Sequence, residues 1–180
     1  MRRIWLGLCG ALVGCASASG PVTSGPRDVT TTVETAAGTV EMRSTRSDPT
    51  ASFAIDAPPD AVWRALTTVY SDLKLAVTTL DTQGRRLGVE NVRVRRQLGG
   101  ERLSRYLTCG ERMGQPIAET DDIALTLYTQ VSPTGSGSTL RTLLEATAKQ
   151  TAAGGALINC ATTGALEKRI VEMVRAQTSG

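Results

Sequence analysis

Histidine is absent from all 180 residues of the chain, and that one absence removes a large class of functions. No imidazole is present to ligate a metal, or to act as the base that activates a serine or cysteine nucleophile. Aromatic residues make up only 3% of the chain. A core must therefore be built mostly from Leu, Val, Ile and Ala, and little ring surface is left for stacking on bases or sugars. A dominant charge is lacking too. The formal net charge is +3, and without Arg2 and Arg3 it falls to +1, with 18 cations against 17 acids. That balance gives no support to nucleic acid as a partner. What remains is a chain of single-domain length, 41% apolar, long enough to bury a sizeable core.

The N-terminus reads as an address. Arg2 and Arg3 precede an apolar run from Ile4 to Val13, far shorter than the roughly 20 residues of a membrane-spanning helix and suited to a signal-peptide h-region. The run ends in Leu12-Val13-Gly14-Cys15, which resembles the lipobox of bacterial lipoproteins. The resemblance implies removal of residues 1–14, a diacylglyceryl group on the Cys15 thiol and acylation of the new amino terminus, enough lipid for stable anchoring. An ordinary secretory signal cleaved near Ala16 or Ala18, with Cys15 lost, is the alternative. Ala16 after the cysteine, where Asp would signal retention, implies by the same resemblance the periplasmic face of the outer membrane.

Cysteine usage agrees with export. Cys9 leaves with the leader and Cys15 takes lipid, so Cys109 and Cys160 remain in an oxidising compartment, where such a pair points to a disulfide. Two buried free thiols are the alternative. Closing a loop of about 50 residues is worth roughly 4 kcal/mol in the chain-entropy model, an upper-end figure. Two lone cysteines do not complete a tetrahedral zinc set, so neither a metal nor a cofactor is expected.

Residues 16–28 are small, polar and rich in Pro and Gly, the composition of a tether. Residues 29–45 are rich in Thr and Val and suit a strand or hairpin, or more tether. The domain is expected over residues 49–178, with 15–48 as lipidated cysteine and tether. It opens with Phe53-Ala-Ile-Asp-Ala-Pro-Pro-Asp-Ala-Val-Trp-Arg-Ala-Leu66, a strand that turns at two prolines into a helix. Pro59 suits a first helical turn and Asp60 meets the favourable end of the helix dipole. Val62, Leu66, Val69 and Leu73 share a face, flanked by Trp63 and Tyr70. Strands are predicted over 75–80 and 86–96, with Leu103, Leu107 and Cys109 facing inward on the next. Gly110 to Asp122 reads as a polar loop and Ser132 to Ser138 as a hairpin loop. Leu125, Leu127 and Val131 alternate inward before it, and Leu140, Thr142, Leu144, Ala146 and Ala148 after it, opposite Arg141, Glu145 and Lys149. After an Ala/Gly-rich connector from Thr151 to Asn159, Thr162 or Thr163 is placed to cap a last helix. Its predicted stripe is Leu166, Ile170, Met173 and Val174, with Glu167, Lys168, Arg169, Glu172 and Arg175 facing water.

This order is α+β: strand, proline-punctuated helix, antiparallel strands, C-terminal helix. With the motif at 53–66 it resembles the START-related, birch-pollen-allergen-like (SRPBCC) helix-grip domains, and more distantly the helix-grip domains of the C lipoprotein of the outer-membrane β-barrel assembly machinery. The resemblance implies a curved antiparallel sheet gripping a long C-terminal helix, and in many relatives a hydrophobic ligand held between them. It carries over no catalytic residue.

The densest charge cluster is Arg93, Arg95, Arg96, Arg102 and Arg105. It suits docking of an anionic headgroup, a peptidoglycan carboxylate or an acidic partner. The plainer reading, a solvated face balanced by Glu90, Glu101 and Glu111, is preferred. Arg93, Arg95 and Arg105 are the candidate binding residues, with Trp63, which lines either a ligand cavity or the core. Asp121 and Asp122 are adjacent on an extended segment, so they point apart and read as loop polarity. The glycine pairs at 99–100 and 154–155 lack the pattern of a phosphate loop. The functional expectation is non-catalytic: an envelope lipoprotein that docks proteins as a scaffold module, or alternatively a carrier or sensor of a small apolar ligand.

Overall fold

The computed structural model describes residues 27–35, 38–46, 49–149 and 157–179. The predicted leader, residues 1–14, the predicted lipidation site Cys15 and residues 151–156 of the predicted connector lie outside them. Strands β1 (Arg27–Thr35) and β2 (Gly38–Arg46) pair antiparallel, with Val33 opposite Val40.

The domain proper begins with β3 (Thr50–Ile55) and helix α1 (Pro59–Asp72). Pro58 caps the helix through its carbonyl, which accepts from the amides of Ala61 and Val62 at 3.0 and 3.1 Å. Asp60 in the first turn pairs with Arg85 at 2.9 Å. Val62, Leu66, Val69, Tyr70 and Leu73 are all fully buried, so Tyr70 belongs to the apolar stripe and does not merely flank it.

Next come β4 (Thr79–Asp81), β5 (Arg86–Val94), β6 (Gln97–Leu98) and β7 (Glu101–Arg102), then a single 3-10 turn at Leu103–Arg105, β8 (Leu107–Thr108), β9 (Glu111–Arg112), β10 (Gln115–Pro116) and the four-residue helix α2 (Ile117–Thr120). Two long strands, β11 (Asp122–Thr134) and β12 (Gly137–Lys149), are joined by two residues, Gly135 and Ser136. The hairpin loop is thus shorter than predicted. β13 (Leu157–Thr162) and α3 (Ala165–Thr178) complete the chain. Residues 157–159, read as connector, pair with β12. The C-terminal helix has 14 residues, the same as α1, so it is not the longer of the two.

The main sheet has seven strands, six in the order β4-β5-β11-β12-β13-β8 and the seventh, β3, paired with β12 off this path. β12 has its second edge shared by two strands: β3 pairs with Ser138–Leu143, and β13 with Ala146–Lys149. β5 carries a bulge. Leu127 opposes Val89 but Leu125 opposes Val92, so Glu90 and Asn91 face a single residue of β11. Asn91 takes positive φ, 51°, and its amide donates to Thr126 Oγ1 at 3.0 Å.

The Cys109–Cys160 disulfide is present, with the α-carbons 4.2 Å apart. Leu107 and Thr108 pair with Thr162 and Ala161, so the bridge lies one pair further along two adjacent strands, with these two pairs between it and the turn into α3. Leu103, Leu107 and Cys109 are all buried, but a 3-10 turn and a short strand carry them where one strand was predicted.

Strand alternation then divides the sheet into two faces. One receives α1 and α3 over Leu87, Val89, Ile123, Leu125, Leu127, Val131, Leu140 and Leu144, each at most 3% exposed. The other receives no helix from the described residues.

Candidate functional site

The space between sheet and helices, where a ligand was one expectation, is occupied by side chains. Leu166, Ile170, Val171 and Val174 of α3 are at most 2% exposed. The stripe therefore runs through Val171, while Met173 is only half-buried against the core. Three hydroxyls lie in this layer. Tyr70 Oη and Thr129 Oγ1 share a hydrogen bond of 2.8 Å, and burial pushes the phenol well above its ordinary pKa. Thr142, directly across from Thr129, is buried with no partner for its hydroxyl among the described residues.

Glu167 also lies in this layer, although its position in the helix predicted a water-facing side chain. It is 1% exposed. Oε1 accepts from Thr162 Oγ1 at 2.7 Å, and Oε2 has no partner among the described residues. Burial raises its pKa, and the Thr162 hydroxyl opposes that only in part. Thr162 Oγ1 in turn accepts from the amide of Gly164, and Thr163 Oγ1 from that of Ala165, at 3.0 and 3.3 Å. Both threonines thus organise the entry to α3, but the capping position itself is Gly164, held at φ 78° with no side-chain cap.

The opposite face is built differently. Gly88 on β5 lies across from Tyr128 on β11, and the ring covers it so closely that a Cβ there would stand 2.4 Å from Tyr128 Cδ1. The glycine lets the ring lie against the backbone. Tyr128 Oη donates to Glu90 Oε2 at 3.1 Å, and the Arg86 guanidinium sits over the ring, 5.9 Å from its centroid, a cation–π arrangement. Register places Gln130 between Arg86 and Arg141 in one row across β5, β11 and β12, and Tyr128 between Gly88 and Leu143 in the next. With Thr50 from β3, these residues line a depression of about 450 Å³. Tyr128 and Leu143 are half-buried, and Arg86, Gln130 and Arg141 are exposed.

The predicted candidates divide between two surfaces. Arg93 stands opposite Ala124 on the open face, and Arg95, further along, lies 3.9 Å from Asp122. Arg105 is not on a strand across a turn from them. It closes the 3-10 turn, pairs with Glu101 at 3.1 Å, and borders a groove with Tyr106, Lys168, Arg169 and Glu172 beside α3. There Arg169, half-buried and not water-facing, donates to the Tyr106 hydroxyl and, at 2.8 Å, to the Gly99 carbonyl. The Gly99-Gly100 turn, both residues at positive φ, is thereby fastened to α3. Arg102 lies 3.8 Å from Glu119. Trp63 is half-buried against the core.

Asp121 is not loop polarity. It is 1% exposed and accepts two hydrogen bonds of 3.0 Å from Arg112. That fork holds its carboxyl below the usual range against the opposing effect of burial. Asp122 does point the other way, toward Arg95.

Arg86, Tyr128 and Gln130 were not singled out as site residues. The available signal was Gly88 inside a strand pattern, which hints at a close approach, but the residue that approaches is known only once the register is. No family model and no curated protein sequence matches the chain.

Proposed function

We propose that this chain is a non-catalytic bacterial envelope lipoprotein, anchored through lipid on Cys15, whose domain docks a partner protein through the open face of its sheet. The observation that carries the docking is the contrast between the faces. The helix side is filled by apolar side chains, while the other presents Arg86 and Arg141, neither within salt-bridge distance of a carboxylate among the described residues, around a half-buried tyrosine. Arginine and tyrosine at a partly apolar centre are what energetic centres of interfaces are made of. The order of elements, with the strand-Pro-Pro-helix opening and a C-terminal helix on an antiparallel sheet, supports a START-related helix-grip domain. The charged, apolar and lipobox segments, in that order, support the anchor and a place on the periplasmic face of the outer membrane.

Two experiments test this reading. Palmitate labelling of the exported protein is expected to disappear with Cys15→Ala; labelling that persists removes the anchor. A photo-crosslinking residue at Gln130 is expected to capture one defined envelope protein, and the same residue at Arg64, exposed on α1, none. A small apolar molecule that stays bound in native mass spectra, with no capture at Gln130, replaces docking by the carrier function. The Thr142 hydroxyl, without a partner among the described residues, is where such a ligand would have a polar contact.

A further inference from the structure

The depression on the open face has a definite chemical preference. Arg86 and Arg141 stand on either side of β11, both in register with Gln130, so their α-carbons are two strand spacings, roughly 10 Å, apart. Of the acids on the same face, exposed Glu145 lies two rows from Arg141, beyond Leu143, and no carboxylate among the described residues is within salt-bridge distance of Arg86 or Arg141. Glu90 accepts from Tyr128 Oη, and Asp81, across from Arg86, accepts from the Gly84 amide at 2.9 Å. The Tyr128 ring fixes the Arg86 guanidinium without neutralising it. One row along the strands, the surface becomes apolar at Tyr128 and Leu143.

Resting on the docking function above, we propose that this depression receives an acidic segment of a partner protein, which sets a carboxylate between Arg86 and Arg141 and an apolar side chain against Leu143 and Tyr128. In an extended peptide, side chains two residues apart share a face. The two rows of the site have that same separation along β11 and β12, so the recognised pattern is acid, any residue, apolar. Arginine forks suit carboxylates bidentately. An open sheet face buries too little of a free small molecule to hold it as an enclosed pocket would, but suits the broad contact a protein makes.

A random dodecapeptide library displayed on phage and panned against the full exported protein tests this. Enrichment of Asp or Glu two residues from Leu, Ile, Val or Phe is expected. The selected peptides should bind Arg86→Gln or Arg141→Gln protein about tenfold more weakly or worse, and should bind Arg64→Gln protein unchanged. Both site arginines are exposed, and unchanged melting of their variants will separate lost binding from lost fold. No enriched peptide, enrichment without acids, or equal binding to the variants overturns the proposal. Displacement of the peptide by phosphatidylglycerol vesicles but not by neutral ones also overturns it, in favour of a lipid headgroup. If the library fails while Gln130 still captures a protein in the envelope, docking stands and the acidic chemistry falls. If both fail, so does docking.

Discussion

Leu143 and Leu144 are neighbours on one strand. Leu144 is buried beneath the helices at 3% exposure, while Leu143 stands half-buried beside Tyr128 on the open face. The same backbone thus serves two surfaces of different character. On the helix side, burial has driven nearly everything to Leu, Val, Ile and Ala, and the few polar groups left there are hydrogen-bonded or orphaned. On the open side water solvates the charges, so arginines need no carboxylate partners and remain available to another molecule. Stability resides on one face, and recognition is what we propose for the other.

Substitutions should show the division. Leu144→Ala is expected to lower unfolding free energy by about 2–5 kcal/mol, through lost burial and the cavity left behind. Leu143→Ala should cost under about 1 kcal/mol. Equal losses in guanidinium titrations would mean that the open face is covered as well. Opening the Cys109–Cys160 bridge by a double Cys→Ser change should cost up to roughly 4 kcal/mol, since it frees β8 from β13 at the entry to α3. An unchanged midpoint would show that strand pairing alone holds that corner. Gly88→Ala acts from the open side. Its methyl would stand 2.4 Å from the Tyr128 ring and 2.5 Å from the Leu127 carbonyl oxygen, so a loss of about 1–3 kcal/mol is expected, together with weaker peptide binding as the ring and Arg86 shift. Arg86→Gln and Arg141→Gln should each change stability by no more than about 0.5 kcal/mol while abolishing most binding.

The smallest effects concern pH, and they have opposite signs at the two buried carboxylates. Arg112 lowers the Asp121 pKa, so its contribution is present above about pH 4, the ordinary carboxylate value, and is lost as pH falls through its lower folded value. Glu167 has a raised pKa. Its contribution is full below about pH 4.5, its unfolded value, and is lost as pH rises through the folded one. Glu167→Gln should remove that decline in a series of melts at rising pH, and Asp121→Asn should flatten the acid limb. A decline that persists in Glu167→Gln would assign it to another group.

Short-range pattern was enough for the elements with a strong period or strong punctuation. Pro58-Pro59-Asp60 set the start of α1, because proline restricts the residue before it and needs no donor in a first turn. Unbroken alternation from Leu140 to Ala148 predicted the inner face of β12, and an even pair of cysteines in a chain read as exported predicted the bridge. Residues 97–120 resisted, since their two-residue strands and single turns are too short for any period to appear.

What tertiary structure alone decided concerns partners distant in the chain. Only the register brings Tyr128 onto Gly88 and sets Gln130 between Arg86 and Arg141. The bulge at Glu90 and Asn91 keeps the valines on both sides of it facing inward. The rotation of α3 on the sheet chose Val171 over Met173 and turned Glu167 inward, a choice its amphipathic stripe left open by one position. Asp121 looked like a loop residue until Arg112, on β9, turned out to lie within 3.0 Å. Periodicity tells each segment which side to bury; where charged groups meet depends on how the segments are set against one another, and that is fixed by packing.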